Sequence, residues 1–153
     1  MPSRTDRPLT LLTDYGVGGE HVGALHLALA AACPDAPRVD IAHDIPPGDI
    51  RWGALTLSRH APALPSAVHL AVVDPGVGTD RNAIAVKSGG QLFVCPDNGI
   101  LTLFLRRHTM DAAHCITNPG FMRASVSSTF HGRDVFAPAA ACLAKGDPLE
   151  SAG

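Results

Sequence analysis

Apolar residues come in short bursts along this chain, cut apart by polar and glycine-rich stretches. Leu9-Thr10-Leu11-Leu12-Thr13 is the first burst and predicts a strand ending at Asp14-Tyr15-Gly16. From His21 to Cys33 the period changes: Val22, Leu25, Leu29 and Ala32 share one helical face, and Pro34 stops the helix. Val39 to Ala42 predicts a second strand, ending at His43-Asp44. Asp49 caps a helix that runs from Ile50 to about His60 and closes at Pro62 and Pro65. Ala67 to Val73 is an apolar run interrupted only by His69, and it reads as a buried strand. Ala83 to Val86 and Leu92 to Val94 form a hairpin across Ser88-Gly89-Gly90. A helix over Ile100 to Arg107, a strand over Ala113 to Thr117 and a last helix complete the pattern. Phe130-His131-Gly132-Arg133-Asp134 opens that helix, Ala137 to Ala144 is its body, and Lys145-Gly146 ends it.

Strands alternate with helices over short connections. The expected fold is therefore α/β: a mainly parallel, mixed central sheet with helices on both faces, in a single three-layer domain. Residues 1–8 read as a polar, flexible start, and 9–149 as the domain itself. A length of 153 residues fits one domain with a core of its own.

Composition excludes more than it assigns. Net charge is −2, with no basic run or basic-aromatic patch, so no nucleic-acid partner is expected. No apolar stretch approaches a bilayer span and no leader pattern opens the chain, so the expectation is a cytoplasmic protein without a membrane partner. Cys33, Cys95, Cys115 and Cys142 sit in apolar settings without C-x-x-C spacing and read as buried reduced thiols. No metal-binding spacing stands out, and no resident metal or cofactor is expected. The chain has no phosphate-binding P-loop, and Gly76-Val77-Gly78 precedes a strand rather than a helix, which argues against a dinucleotide fingerprint.

The candidate chemistry lies where strands give way to loops. Thr13-Asp14, His43-Asp44, Asp74 with Arg81, and Asp97-Asn98 each follow a strand, and His131-Gly132-Arg133-Asp134 sits at a helix start. Strand C-termini of a parallel sheet share one edge, so these groups can converge into a small-molecule site. Each also has a plainer reading. Asp14 could cap a helix, Asp97-Asn98-Gly99 is good turn chemistry, and His131 alone decides nothing. His21, His26, His60, His69, His108 and His114 show no partner pattern and read as core or surface histidines.

Five blocks occur in order: Thr13-Asp14-Tyr15-Gly16, Val39 to Pro46, Val73 to Thr79, Pro96 to Leu101 and Ser128 to Asp134. Together they resemble the S-adenosyl-L-methionine (SAM) hydroxide adenosyltransferase family, adenosine-forming SAM hydrolases related to fluorinases. The resemblance implies attack of water or hydroxide on C5′ of SAM, giving adenosine and L-methionine, with SAM as substrate and no cofactor. It implies a catalytic set of Asp74, Arg81 and His131. Asp14 is implied to grip the ribose diol. Gly76, Val77, Gly78, Phe130 and Gly132 would line the C5′ region, and Asp97 and Asn98 complete the substrate-binding set. Halide-using relatives have a serine at the position of Gly132 and lack the Asp74 and His131 equivalents.

Family members carry a second, C-terminal β-rich domain that holds adenine, often from a neighbouring subunit of a trimer. No such domain follows residue 149 in this sequence, so the expected partners are a homotrimer or a separate chain supplying that domain. Two expectations result: an enzyme whose isolated chain binds SAM weakly, or a non-catalytic nucleoside-binding or assembly module.

Overall fold

A computed structural model of the chain describes residues 6–153. Its centre is a six-stranded sheet in the order β2-β1-β3-β5-β4-β6. The strands are β1 (Leu9–Thr13), β2 (Arg38–Ala42), β3 (Val68–Val72), β4 (Ala83–Ser88), β5 (Gln91–Pro96) and β6 (Met110–Cys115). β2, β1, β3 and β5 run parallel, while β4 pairs antiparallel with both β5 and β6. The helices are α1 (Glu20–Ala32), α2 (Ile50–His60), α3 (Thr102–Leu105) and α4 (Ala137–Ala144). Among the described residues no helix is long and apolar enough to cross a membrane.

The largely apolar central strands serve two cores at once. Leu9, Leu11, Val68, Leu70, Val72 and Val94 face Leu25 and Leu29 of α1 and the alanines of α4. Leu12, Ala71, Val73, Phe93 and Cys95 face the other way, towards Leu57 of α2 and Phe104 of α3. The period-two alternation is hidden in the sequence because both faces are apolar. The expected three-layer mixed architecture is what forms.

One polar ladder crosses this apolar centre. His69 of β3 is fully buried, with Nδ1 2.7 Å from the Thr10 hydroxyl on β1 and Nε2 2.9 Å from Gln91 Oε1 on β5. Both ring nitrogens have partners, so the imidazole is a satisfied core histidine.

Several boundaries differ from expectation for local reasons. Residues 1–5 of the expected flexible start lie outside the described residues, and just after them the chain is tied down. Arg7 N donates to Ala144 O at 2.9 Å and Val68 N donates to Pro8 O at 2.9 Å. The helix expected over Ile100 to Arg107 shrinks to one turn, because Gly99 at φ 93° starts a turn and buried Ile100 and Leu101 anchor it before α3 begins. β6 begins earlier than Ala113, since Met110 pairs with Ser88 although its side chain is exposed. It also stops at Cys115: Thr117 N and Asn118 N turn away to Ala152 O, each at 2.9 Å. Cys33 and Cys95 are buried, but Cys142 is only half-buried and Cys115 is exposed on the edge strand. That corrects the expectation of four buried thiols. An edge strand keeps one row of side chains in water, whatever their hydropathy.

Candidate active site

The sheet reverses its winding between β1 and β3. The chain leaves β1 through α1 to β2 on one side, then returns through α2 to β3 on the other. Ligands of open α/β sheets bind at this reversal, beyond the strands' carboxyl ends. Thr13 and Val72 are register partners at those ends. The next side chains along the chain include Asp14 after β1 and Asp74 after β3, and both line a cleft of about 230 Å³.

Asp14 does not cap α1, whose N-cap is Gly19. Its Oδ2 instead accepts the Gly48 N–H at 2.8 Å. The Pro46-Pro47-Gly48 turn therefore orients the carboxylate from a third loop.

Asp74 and Arg81 form a two-point pair across the glycine turn. Arg81 Nε donates to Asp74 Oδ1 at 2.9 Å, and Nη2 donates to Oδ2 at 2.5 Å. The side chains are only 6% and 11% exposed, so water screens the pair little. Gly76 lets the arginine fold back: a Cβ there would stand 3.4 Å from Arg81 Cγ and 3.3 Å from the Thr79 hydroxyl. Gly78, at φ +80°, lies against Ser128, whose carbonyl oxygen would be 2.8 Å from an added Cβ. Only glycine allows that approach between the two loops.

His131 joins the pair from fifty residues away. Arg81 Nη2 stands 2.8 Å from His131 Nδ1. A guanidinium can only donate, so Nδ1 accepts and the ring proton of the neutral imidazole lies on Nε2. Burial lowers the imidazole pKa below its ordinary value, and the Arg81 charge lowers it further; Asp74, Asp134 and a backbone contact at Ser127 offset part of this. The guanidinium is also seated on the Phe136 ring, 5.3 Å from its centroid.

The helix carrying His131 opens as a π-helical turn, Gly132–Phe136, before α4. Asp134 holds that turn. Its carboxylate is 1% exposed and accepts from Arg133 Nε at 2.7 Å, Arg123 Nη1 at 3.3 Å and Ser127 N at 2.8 Å. The Arg133 hydrogen bond is the largest influence on its pKa, which lies below the ordinary carboxylate range.

Three rings wall the cleft. Tyr15 meets Phe130 edge-on at 5.8 Å between centroids, and His21 meets Phe130 at 4.9 Å. The Tyr15 hydroxyl lies over Gly132 and occupies the space a side chain there would need. Burial, then the Asp14 and Asp74 charges, push the phenol pKa up, so it stays a hydroxyl. Sequence reasoning named Phe130 and Gly132 but passed over Tyr15 and His21. Their only signal is that each flanks the Asp14 loop.

The structure brings Asp14, Asp74, Val77, Phe130, His131 and Gly132 to the cleft wall, with Arg81 behind Asp74 and His131. It does not bring Asp97 or Asn98 there. Asn98 Nδ2 donates to Val73 O at 2.8 Å, bracing the backbone just before Asp74. Asp97 is exposed and borders a separate groove beside Pro96 and Met110.

A profile of the SAM hydroxide adenosyltransferase N-terminal domain matches residues 9–153. The chain belongs to that family. A Salinispora arenicola relative named (R)-S-adenosyl-L-methionine hydrolase is 51% identical over 146 residues, covering 95% of this chain and 56% of its own. A Thermus thermophilus relative of the same name is 43% identical, covering 96% of this chain and 60% of its own. A crystal structure of an uncharacterized conserved protein from Thermotoga maritima superposes with a TM-score of 0.92 at 40% identity, over 95% of this chain and 57% of that one. The chain thus spans little more than half the length of the relatives it matches.

Proposed function

We propose that the chain supplies the catalytic half of a SAM hydrolase that transfers the 5′-adenosyl group to water and releases adenosine, L-methionine and a proton. The observation carrying this reading is the continuous contact Asp74–Arg81–His131 beside the cleft. A sulfonium leaves as a neutral thioether, so the reaction needs no general acid. What it needs is an oriented, desolvated water that loses a proton as it attacks. Arg81 offers a fixed positive charge, which favours the hydroxide form of a water held beside it. Asp74 fixes the guanidinium, and His131 stays neutral against it. Asp14, oriented by Gly48, is suited to accept the two hydroxyls of a ribose. The Tyr15, His21 and Phe130 rings would keep bulk water from C5′.

Gly132 separates this reading from halide transfer. The serine that halide-using relatives carry would collide with the Tyr15 hydroxyl.

The cleft, at about 230 Å³, falls below the ~300–1,000 Å³ of typical small-molecule pockets. That size suits a ribose and its C5′ substituent better than a whole SAM molecule. We extend the proposal accordingly: adenine and part of the methionine are held by a β-rich partner domain, within a trimer or on a separate chain, in the cytoplasm.

The test is chromatography after incubation with SAM, using this chain alone and joined to the C-terminal region of its Salinispora relative. Adenosine and methionine in equal amounts, lost in Asp74→Ala and His131→Ala, are expected. Product that survives both substitutions would refute the assignment. Binding without turnover in the joined protein would favour the non-catalytic module.

A further inference from the structure

The block Val39 to Pro46 contributes no catalytic side chain, yet it carries Asp40 and His43, and these meet His26 of α1. His26 Nε2 lies 3.0 Å from Asp40 Oδ1, and His43 Nε2 lies 3.0 Å from the same oxygen. All three offer ligand atoms within 4.8 Å of one another. Two ligands of a tetrahedral ion bonded at about 2.0–2.1 Å stand roughly 3.3 Å apart, so the spacing fits one ion.

The second observation is the state of His43. Its side chain is 8% exposed, and Nε2 has no hydrogen-bond partner. Its nearest charged neighbour is Asp40 Oδ1, at 3.0 Å. The other ring nitrogen, Nδ1, stands 2.8 Å from the Thr13 hydroxyl, which already accepts the Tyr15 N–H at 3.2 Å. A Thr13 hydroxyl can accept as well as donate, so in the tautomer with the proton on Nδ1 the Nε2 lone pair is free for a cation beside the Asp40 carboxylate. A buried imidazole whose second nitrogen is fixed by a neighbouring oxygen is the usual build of a metal ligand.

The geometry points to a divalent transition-metal site, best suited to Zn²⁺, formed by His26, Asp40 and His43. Two imidazoles and one carboxylate favour zinc over hard cations such as Mg²⁺ or Ca²⁺. His26 is 33% and Asp40 46% exposed, so the site opens to solvent and keeps room for a water ligand. The ion would tie α1 to the edge strand β2. It would also brace the Asp14 loop, because His43 O accepts the Gly16 N–H at 2.8 Å. No regular ligand spacing in the sequence betrays the site: His26 comes from a different element than Asp40 and His43, and only packing brings it to them. The inference departs from the absence of metal expected from sequence, and it stands apart from the proposed chemistry.

The test is isothermal titration of ZnCl₂ into chelator-treated protein lacking any affinity tag, without SAM, alongside MgCl₂. One Zn²⁺ per chain at micromolar affinity or tighter is expected, with no Mg²⁺ heat. His26→Gln and Asp40→Asn, both changes at solvent-accessible positions, should each weaken binding at least tenfold, while His131→Gln leaves it unchanged. Loading with Co²⁺ should give the visible absorption of a tetrahedral or five-coordinate ion, lost in the same two variants. Millimolar binding, or tight binding untouched by His26→Gln and Asp40→Asn, would overturn the site.

Discussion

At the scale of single residues, His131 and Gly132 carry the sharpest consequences. The Arg81–His131 contact exists only while Nδ1 is unprotonated. Burial and the Arg81 charge move the imidazole pKa below 6.5. The neutral form therefore dominates at and above that pH, and protonation below it sets the guanidinium loose. In the joined protein, kcat/KM should fall on acidification with its midpoint below pH 6.5. A decline already centred above pH 7 would mean that another group controls the rate. His131→Ala should lower kcat by roughly 10²–10⁴-fold, with circular dichroism unchanged. Gly132 is tested by overpacking. Gly132→Ala drives a methyl into the Tyr15 hydroxyl and should cost roughly 1–3 kcal/mol in urea unfolding. Tyr15→Phe in the same chain should recover most of that loss. Additive losses would show that the two positions do not touch.

Elements show why the strands were legible and the site only in part. β1, β3 and β5 are buried on both faces, so their apolar runs stand out and the connections between them follow. β6 was mistimed because an edge strand keeps polar and exposed residues such as Asp111 in its ladder. The π-helical opening of the last helix has no sequence signature: helix-start signals do not separate π from α. That turn depends on Asp134, whose three partners lie on the π turn itself and on the loop before it. Asp134→Asn should cost roughly 1–3 kcal/mol and speed amide exchange over residues 123–131 ahead of the sheet. Uniform loosening of the whole chain would argue against this local role. The sheet has a pH dependence of its own. Burial lowers the His69 pKa to about 4, against an opposing effect of the Gln91 hydrogen bond. The folded ring resists a proton that the unfolded chain accepts near pH 6.5. Its stabilising neutrality is complete above that pH and is lost between about 6.5 and about 4, worth roughly 3 kcal/mol in all. His69→Gln should flatten the fall in Tm over that window. An equally steep fall in the variant would place the titration elsewhere.

Across the whole molecule, three of the five sequence blocks, those around Asp14, Asp74 and His131, meet at one cleft because a doubly wound sheet collects strand ends. Asp14, Asp74 and His131 could be named from such blocks. The aromatic wall of Tyr15 and His21 could not, since it exists only after α1 and the last helix pack on the same face. Asn98 lies outside the cleft for the related reason that a turn residue can face either the ligand or its own strand. This collected edge holds every group of the proposed chemistry yet encloses only about 230 Å³. A ligand the size of SAM seated there leaves much of its surface in water. Roughly 100 Å² of apolar ligand surface left uncovered forfeits about 2–3 kcal/mol, on the order of 100-fold in Kd. Titration of SAM into this chain alone should therefore read at least tenfold weaker than into the joined protein. Adenosine should show the same gap, because its ring is the part left bare, whereas free ribose should bind both forms equally. Equal SAM affinity for the two forms would mean that this domain closes over its ligand by itself and that the cleft must widen when it binds.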